Sequence, residues 1–256
     1  MLIMNAIQIN EDGTIEKLKK SDIVKDIKSS KMFALTPEQR QFLIKDIRSN
    51  DNLQFNQKHL VMLYLMMYAG LRRGEVVQVR KSWLSKSKLV INGVERDLLL
   101  IDIPYRTNDI RKGKGKFIWK AKTRKSQRVS IVFDEQVSTY IEAYFESNPT
   151  GVQCSTDYIY KVVASDKRYS FKSRILNCSE KTLEGNDLIS SAEKERLSNL
   201  IPHSLRSTYA YVCKELGLDN EHIAELLGHD DVKTLKDSYF QNTRQSLVLS
   251  ITQSLR

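Results

Sequence analysis

Four residues near the C-terminal end could do chemistry together. His203 and Arg206 stand three apart in Pro-His-Ser-Leu-Arg, His229 closes Leu-Leu-Gly-His, and Tyr239 follows. Arginine clamps a phosphate through parallel N–H bonds, imidazoles exchange protons near neutral pH, and a tyrosine oxygen is a nucleophile. On a helix, a spacing of three puts His203 and Arg206 on one face. Each residue alone has a plainer reading. A histidine at a helix start caps it, Gly-His after two leucines is a helix exit, and a tyrosine beside Phe240 packs in a core. Their order and spacing, with an arginine far upstream, point instead to a phosphate-directed set.

The elements that must hold these residues can be read from start and stop signals. Pro202 opens a helix that Gly217 ends. A short helix from about Asn220, capped by Asp219 or Asn220, ends at Gly228 and delivers His229 onto a loop. A further helical stretch from about Val232 carries Tyr239. Upstream, Thr36-Pro37-Glu38-Gln39 makes a capping box, and Asn56–Ala69 forms an apolar helix ended by Gly70. Leu71-Arg72-Arg73-Gly74-Glu75 follows at once, at the edge of the core; the plainer reading leaves both arginines solvated, and the sharper one has Glu75 steering Arg72 inward within one turn.

Lys88–Ile103 reads as a hairpin turning at Asn92-Gly93. Between Arg111 and Arg128 lie nine Lys or Arg in eighteen residues and no acid. Phe117–Trp119 and Val129–Phe133 flank its polar centre, which predicts a second hairpin with a cationic tip. Further helices are expected over Asp134–Tyr144, Ser155–Ser165 and near Ala192–Leu197, and a short one around Asp22–Lys28. From Asp166 to Asn199 no other pattern emerges. The tail, Thr243–Arg256, has apolar residues among polar ones. It suits docking on a neighbouring subunit or on the chain's own core.

Composition narrows the partners. The 256 residues are 41% hydrophobic and 28% charged, with a net charge of +10, as expected of a globular protein with a polyanionic partner. The basic residues gather in a hairpin-like stretch and not on an amphipathic helix, which favours nucleic acid over a membrane surface. The longest apolar run, Leu60–Ala69, is about half what a membrane span needs. Cys154, Cys178 and Cys213 are few and lack metal-ligand spacing, which points to free thiols in a reducing cytoplasm. A secretory leader is not expected.

Tyr68-Ala-Gly-Leu-Arg72-Arg-Gly-Glu75, the basic stretch with Lys122-Thr123 and Arg128-Val129, His203-x-x-Arg206, Leu-Gly-His229 and Tyr239 resemble, in this order, the tyrosine recombinases of the phage-integrase family. The resemblance implies an α+β, mainly helical catalytic domain over 35–241 with small antiparallel hairpins or sheet at one edge. Residues 1–34 would be an N-terminal arm and 242–256 a docking tail. It implies that Tyr239 attacks a phosphodiester to leave a 3′-phosphotyrosyl link, while Arg72 and Arg206 hold the non-bridging oxygens. Lys122 would protonate the leaving 5′-oxygen, with Lys120 and Lys125 as substitutes. His203 would serve as acid or base at the tyrosine, and His229 would bond the phosphate. Arg73, Lys120, Arg124, Lys125 and Arg128 are expected to contact DNA.

The family needs no metal, ATP or other cofactor, because the covalent intermediate keeps the bond energy. Its partners are double-stranded recombination sites and further copies of the recombinase, as a tetramer, acting in the cytoplasm at the nucleoid. Two departures stand out. Tyr239 lies ten residues after His229, one more than is usual, and residues 1–34 are too few for the family's helical core-binding domain. That suits a short member, similar to fimbrial phase-variation invertases, or a fragment. Two other readings share these residues: a DNA-binding relative without catalysis, and a type IB topoisomerase.

Overall fold

The computed structural model describes residues 7–9, 15–17, 34–49, 53–91, 94–110, 116–120, 127–165, 167, 170–178, 195 and 197–229. Lys122, Arg124, Lys125 and Tyr239 lie outside them. So do the segments expected as a helix over 22–28, as the helix carrying Tyr239 and as the docking tail.

A two-stranded ribbon, β1 (Ile7–Ile9) with β2 (Ile15–Lys17), comes first. Helix α1 (Pro37–Arg48) starts as its sequence dictates: Gln39 N–H donates to Thr36 Oγ1, and Thr36 N–H donates to Gln39 Oε1. Helix α2 (Leu53–Met67) carries the most apolar run, and Leu60 through Met67 are all buried. It begins three residues before the expected start. It ends in a turn where Leu71 N–H reaches back to Leu65 O at 3.0 Å and Gly70 takes φ +59°. A Cβ on Gly70 would lie 2.4 Å from Tyr209 Cδ1, so both conformation and space require glycine there.

After the one-turn helix α3 (Arg73–Val76), strands β3 (Leu84–Ile91) and β4 (Val94–Ile103) form the hairpin expected around Asn92-Gly93, with Ile91 opposite Val94. The next expectation is corrected. Phe117–Trp119 and Val129–Phe133 do not pair with each other. Strand β6 (Lys116–Lys120) pairs with β5 (Arg106–Ile110), and β7 (Arg128–Val132) adds to the free edge of β4, with Leu99 opposite Val132 and Ile103 opposite Arg128. The order β3-β4-β7 gives one antiparallel sheet. The strand that β7 joins carries Leu99, Ile101 and Ile103 on the buried face, where Val132 packs with them.

Helices α4 (Glu135–Ser147), α5 (Thr156–Ala164) and α6 (Phe171–Cys178) follow, then α7 (Pro202–Glu215) and α8 (Asn220–Leu227). Asp134, Ser155 and Asp219 cap α4, α5 and α8 through side-chain oxygens. The main core runs through α2, the sheet and α4–α6. A smaller one joins Tyr209 and Cys213 of α7 to Ile223 and Leu227 of α8, with Ile131 and Phe133 packed on it. Tyr209 O–H donates to Ile131 O at 2.8 Å and ties α7 to β7. Among the described residues no helix is long and apolar enough to cross a membrane.

Candidate active site

The site assembles around one carboxylate. Arg72 sits at the head of α3 in extended backbone conformation, and Glu75, on the first turn, folds back to it. Glu75 Oε2 accepts the Arg72 backbone N–H at 2.6 Å, and Oε1 accepts from Arg72 Nη1 at 3.0 Å. Two further guanidinium groups converge on Glu75. Arg128 donates from Nη1 to Oε1 at 2.9 Å and from Nη2 to Oε2 at 2.8 Å, a bidentate pair. Arg206 Nη1 lies 3.8 Å from Oε2. Burial pushes the Glu75 carboxyl up, but the bonds and charge of Arg128, with the charges of Arg206 and Arg72, outweigh it and hold it at about 2.

The same three arginines grip the end of α8. Arg128 Nε donates to Leu226 O at 2.8 Å, Arg206 Nη2 donates to Leu227 O, and Arg72 Nη2 donates to Gly228 O at 3.0 Å. Arg206 Nη1 also donates to Gly70 O, at the end of α2. The last carbonyls of a helix have no partner within it and carry the negative end of its dipole. Three guanidinium groups bond three successive carbonyls here. Gly228, in the left-handed conformation at φ +62°, then turns the chain so that His229 N–H reaches Ala224 O at 2.9 Å.

His203, in the first turn of α7, and His229 share this electropositive environment. Burial, then the charges of Arg206 and Arg72, lower His203 to about 4; the same causes, joined by His203 and Arg128, lower His229 to about 3. Both imidazoles are therefore neutral at pH 7, able to accept a proton as well as to donate a hydrogen bond. The chemistry on offer is recognition of a tetrahedral oxyanion by guanidinium groups, with neutral bases beside it.

The structure thus brings Arg72, His203, Arg206 and His229 together from three separate segments. Arg72 is 32% exposed and Arg206 is 1% exposed. Arg73 is exposed, with its guanidinium 5.7 Å from the ring centre of Tyr160. Lys120 ends β6. Arg128, expected at the DNA surface, is instead 3% exposed and paired with Glu75. The signal was in Arg-Val-Ser-Ile-Val: a period of two puts residues 128, 130 and 132 on the face that carries Val132 into the core. A buried charge is costly unless it is paired, and Glu75 supplies the pair for Arg128. Among the described residues, no three His, Cys, Asp or Glu side chains are grouped so as to hold a metal ion.

Over residues 34–246 the sequence matches the phage integrase family, and the chain belongs to it. Its members are site-specific recombinases that break and rejoin DNA strands. The fold is similar to that of the Tn1549 transposon integrase, solved in complex with transposon right end DNA: TM-score 0.53 at 15% identity, covering 93% of this chain and 72% of that one. XerA recombinase gives a TM-score of 0.52 at 17% identity, covering 86% and 64%. XerH recombinase, bound to a palindromic difH substrate, gives 0.50 at 16% identity, covering 86% and 53%. None of the curated proteins matches the sequence.

Proposed function

We propose that this chain cleaves and rejoins DNA at specific sites through a 3′-phosphotyrosyl intermediate on Tyr239. The observation that carries the reading is the convergence of Arg72 and Arg206 on one carboxylate, flanked by His203 and His229. Guanidinium groups fixed before the substrate arrives stabilise the charge that builds on the non-bridging oxygens without reorganising at the moment of reaction. Arg72, the more exposed of the two, receives the phosphate first. The phosphate's charge offsets the arginine field, which adds to burial in lowering both imidazoles, so that His203 gains basicity as it takes the proton from Tyr239. Lys122, or Lys120 or Lys125 in its place, protonates the departing 5′-oxygen.

In this reading 35–241 is the catalytic unit, 1–34 an arm and 242–256 a tail that docks on the next subunit of a tetramer. Arg73, Lys120, Arg124 and Lys125 hold the phosphate backbone, and the work is done at the nucleoid. The test is trapping on a nicked suicide duplex that carries the DNA bordering the encoding locus. The expected result is a covalent protein–DNA adduct, lost in Tyr239→Phe. Undiminished nicking by that variant would sink the reading. Salt-sensitive binding without any adduct would favour a non-catalytic relative.

A further inference from the structure

We propose that Arg128 is a positioning residue for strand cleavage and makes no contact with DNA. This rests on the recombinase reading above. The residue opens β7 on the inward face of the sheet, opposite Ile103, and its side chain is 3% exposed. Its two terminal nitrogens hold both oxygens of Glu75, at 2.9 and 2.8 Å. Those are the oxygens that accept the backbone N–H and Nη1 of Arg72. Any shift of Arg128 therefore moves the carboxylate that aims Arg72.

Its third bond acts at the other end of the site. Arg128 Nε holds Leu226 O at 2.8 Å, three residues before His229. The stem of the side chain lies along the turn that delivers this histidine, since a Cβ built on Gly228 would be 2.9 Å from Arg128 Cδ. One planar group thus fixes two sources of catalytic side chains relative to one another, the head of α3 and the exit of α8. A lysine could keep the charge opposite Glu75 but not two parallel bonds together with a third from Nε.

Arg128→Lys and Arg128→Gln test this on the full-length chain. The readouts are thermal unfolding, the single-turnover cleavage rate on the suicide duplex at saturation, the half-saturating duplex concentration, and the salt dependence of binding to a short duplex of arbitrary sequence. For Arg128→Lys we expect a folded protein that cleaves slower by about tenfold or more, as small misplacements of reacting groups do. Half-saturation and the salt slope should stay unchanged in both variants. Cleavage by Arg128→Lys at the unsubstituted rate overturns the proposal. So does a salt slope shallower by about 0.9, the signature of one lost phosphate contact. A lowered unfolding temperature with cleavage at saturation intact also overturns it, by reducing Arg128 to a structural role. If the unsubstituted chain forms no adduct, the recombinase reading fails first and takes the proposal with it.

Discussion

Glu75 is the residue on which the site turns. It is 3% exposed and faces three guanidinium groups, and its charge offsets the burial of Arg128 directly and, with the carbonyls of Gly70 and Leu227, that of Arg206. Removing one partner of a buried ion pair leaves the other charge uncompensated, at a cost of about 3–5 kcal/mol. Glu75→Gln should lose stability of that order in urea denaturation, and an unchanged midpoint would contradict the account. The histidines make a second test. His59 and His203 are lowered to about 4, and His229 to about 3, first by burial and then by nearby arginine or lysine charge. Their folded values lie below the unfolded value near 6.5, so the unfolded chain binds protons first as pH falls. Stability is full above about pH 6.5 and is lost between there and about 4, with His229 extending the loss toward 3. The unfolding temperature measured against pH should show this slope, and replacing His203 and His229 together by glutamine should flatten it.

At the scale of elements, the exit of α8 matters most. Gly228 must adopt a left-handed conformation, and a Cβ there would press on Arg128 Cδ at 2.9 Å. Gly228→Ala should cost about 1–2 kcal/mol from the backbone alone, plus whatever the displaced arginine adds. Slower cleavage with unaltered duplex affinity is the accompanying expectation, and single-turnover kinetics beside denaturation would measure both. Helix ends were legible in the sequence because caps are local. Thr36, Asp134, Ser155 and Asp219 each bond a backbone N–H three residues on. The hairpin at Asn92-Gly93 was legible for the same reason. The partner of β7 was not, because register is settled by which strand offers a matching apolar face, and β4 lies far along the chain. The β5–β6 ribbon was missed because Arg-Thr-Asn-Asp-Ile has no apolar alternation to announce a strand. Helix α6 was missed within a stretch of weak periodicity.

Across the whole molecule, Arg72, His203, Arg206 and His229 lie around one place, the first of them expected from the resemblance and not from spacing, while Lys122 and Tyr239 lie outside the described residues. What stayed hidden was the frame that holds them. A carboxylate shared by three arginines, and three carbonyls held in succession, depend on contacts between residues as far apart as Arg72 and Gly228. The net charge of +10 belongs to this scale too. Affinity for duplex of arbitrary sequence should fall steeply with salt, each neutralised phosphate adding about −0.9 to the slope of log K against log salt. Salt-independent binding in anisotropy titrations would refute a phosphate-directed surface. The central claim, that a phenol oxygen displaces one DNA strand at this cationic centre, meets its most direct test in the adduct itself. Digesting trapped complexes with nuclease and protease and sequencing the modified peptide by mass spectrometry should find nucleotides esterified to Tyr239. Nicked DNA free of protein, or attachment at any other side chain, would contradict it.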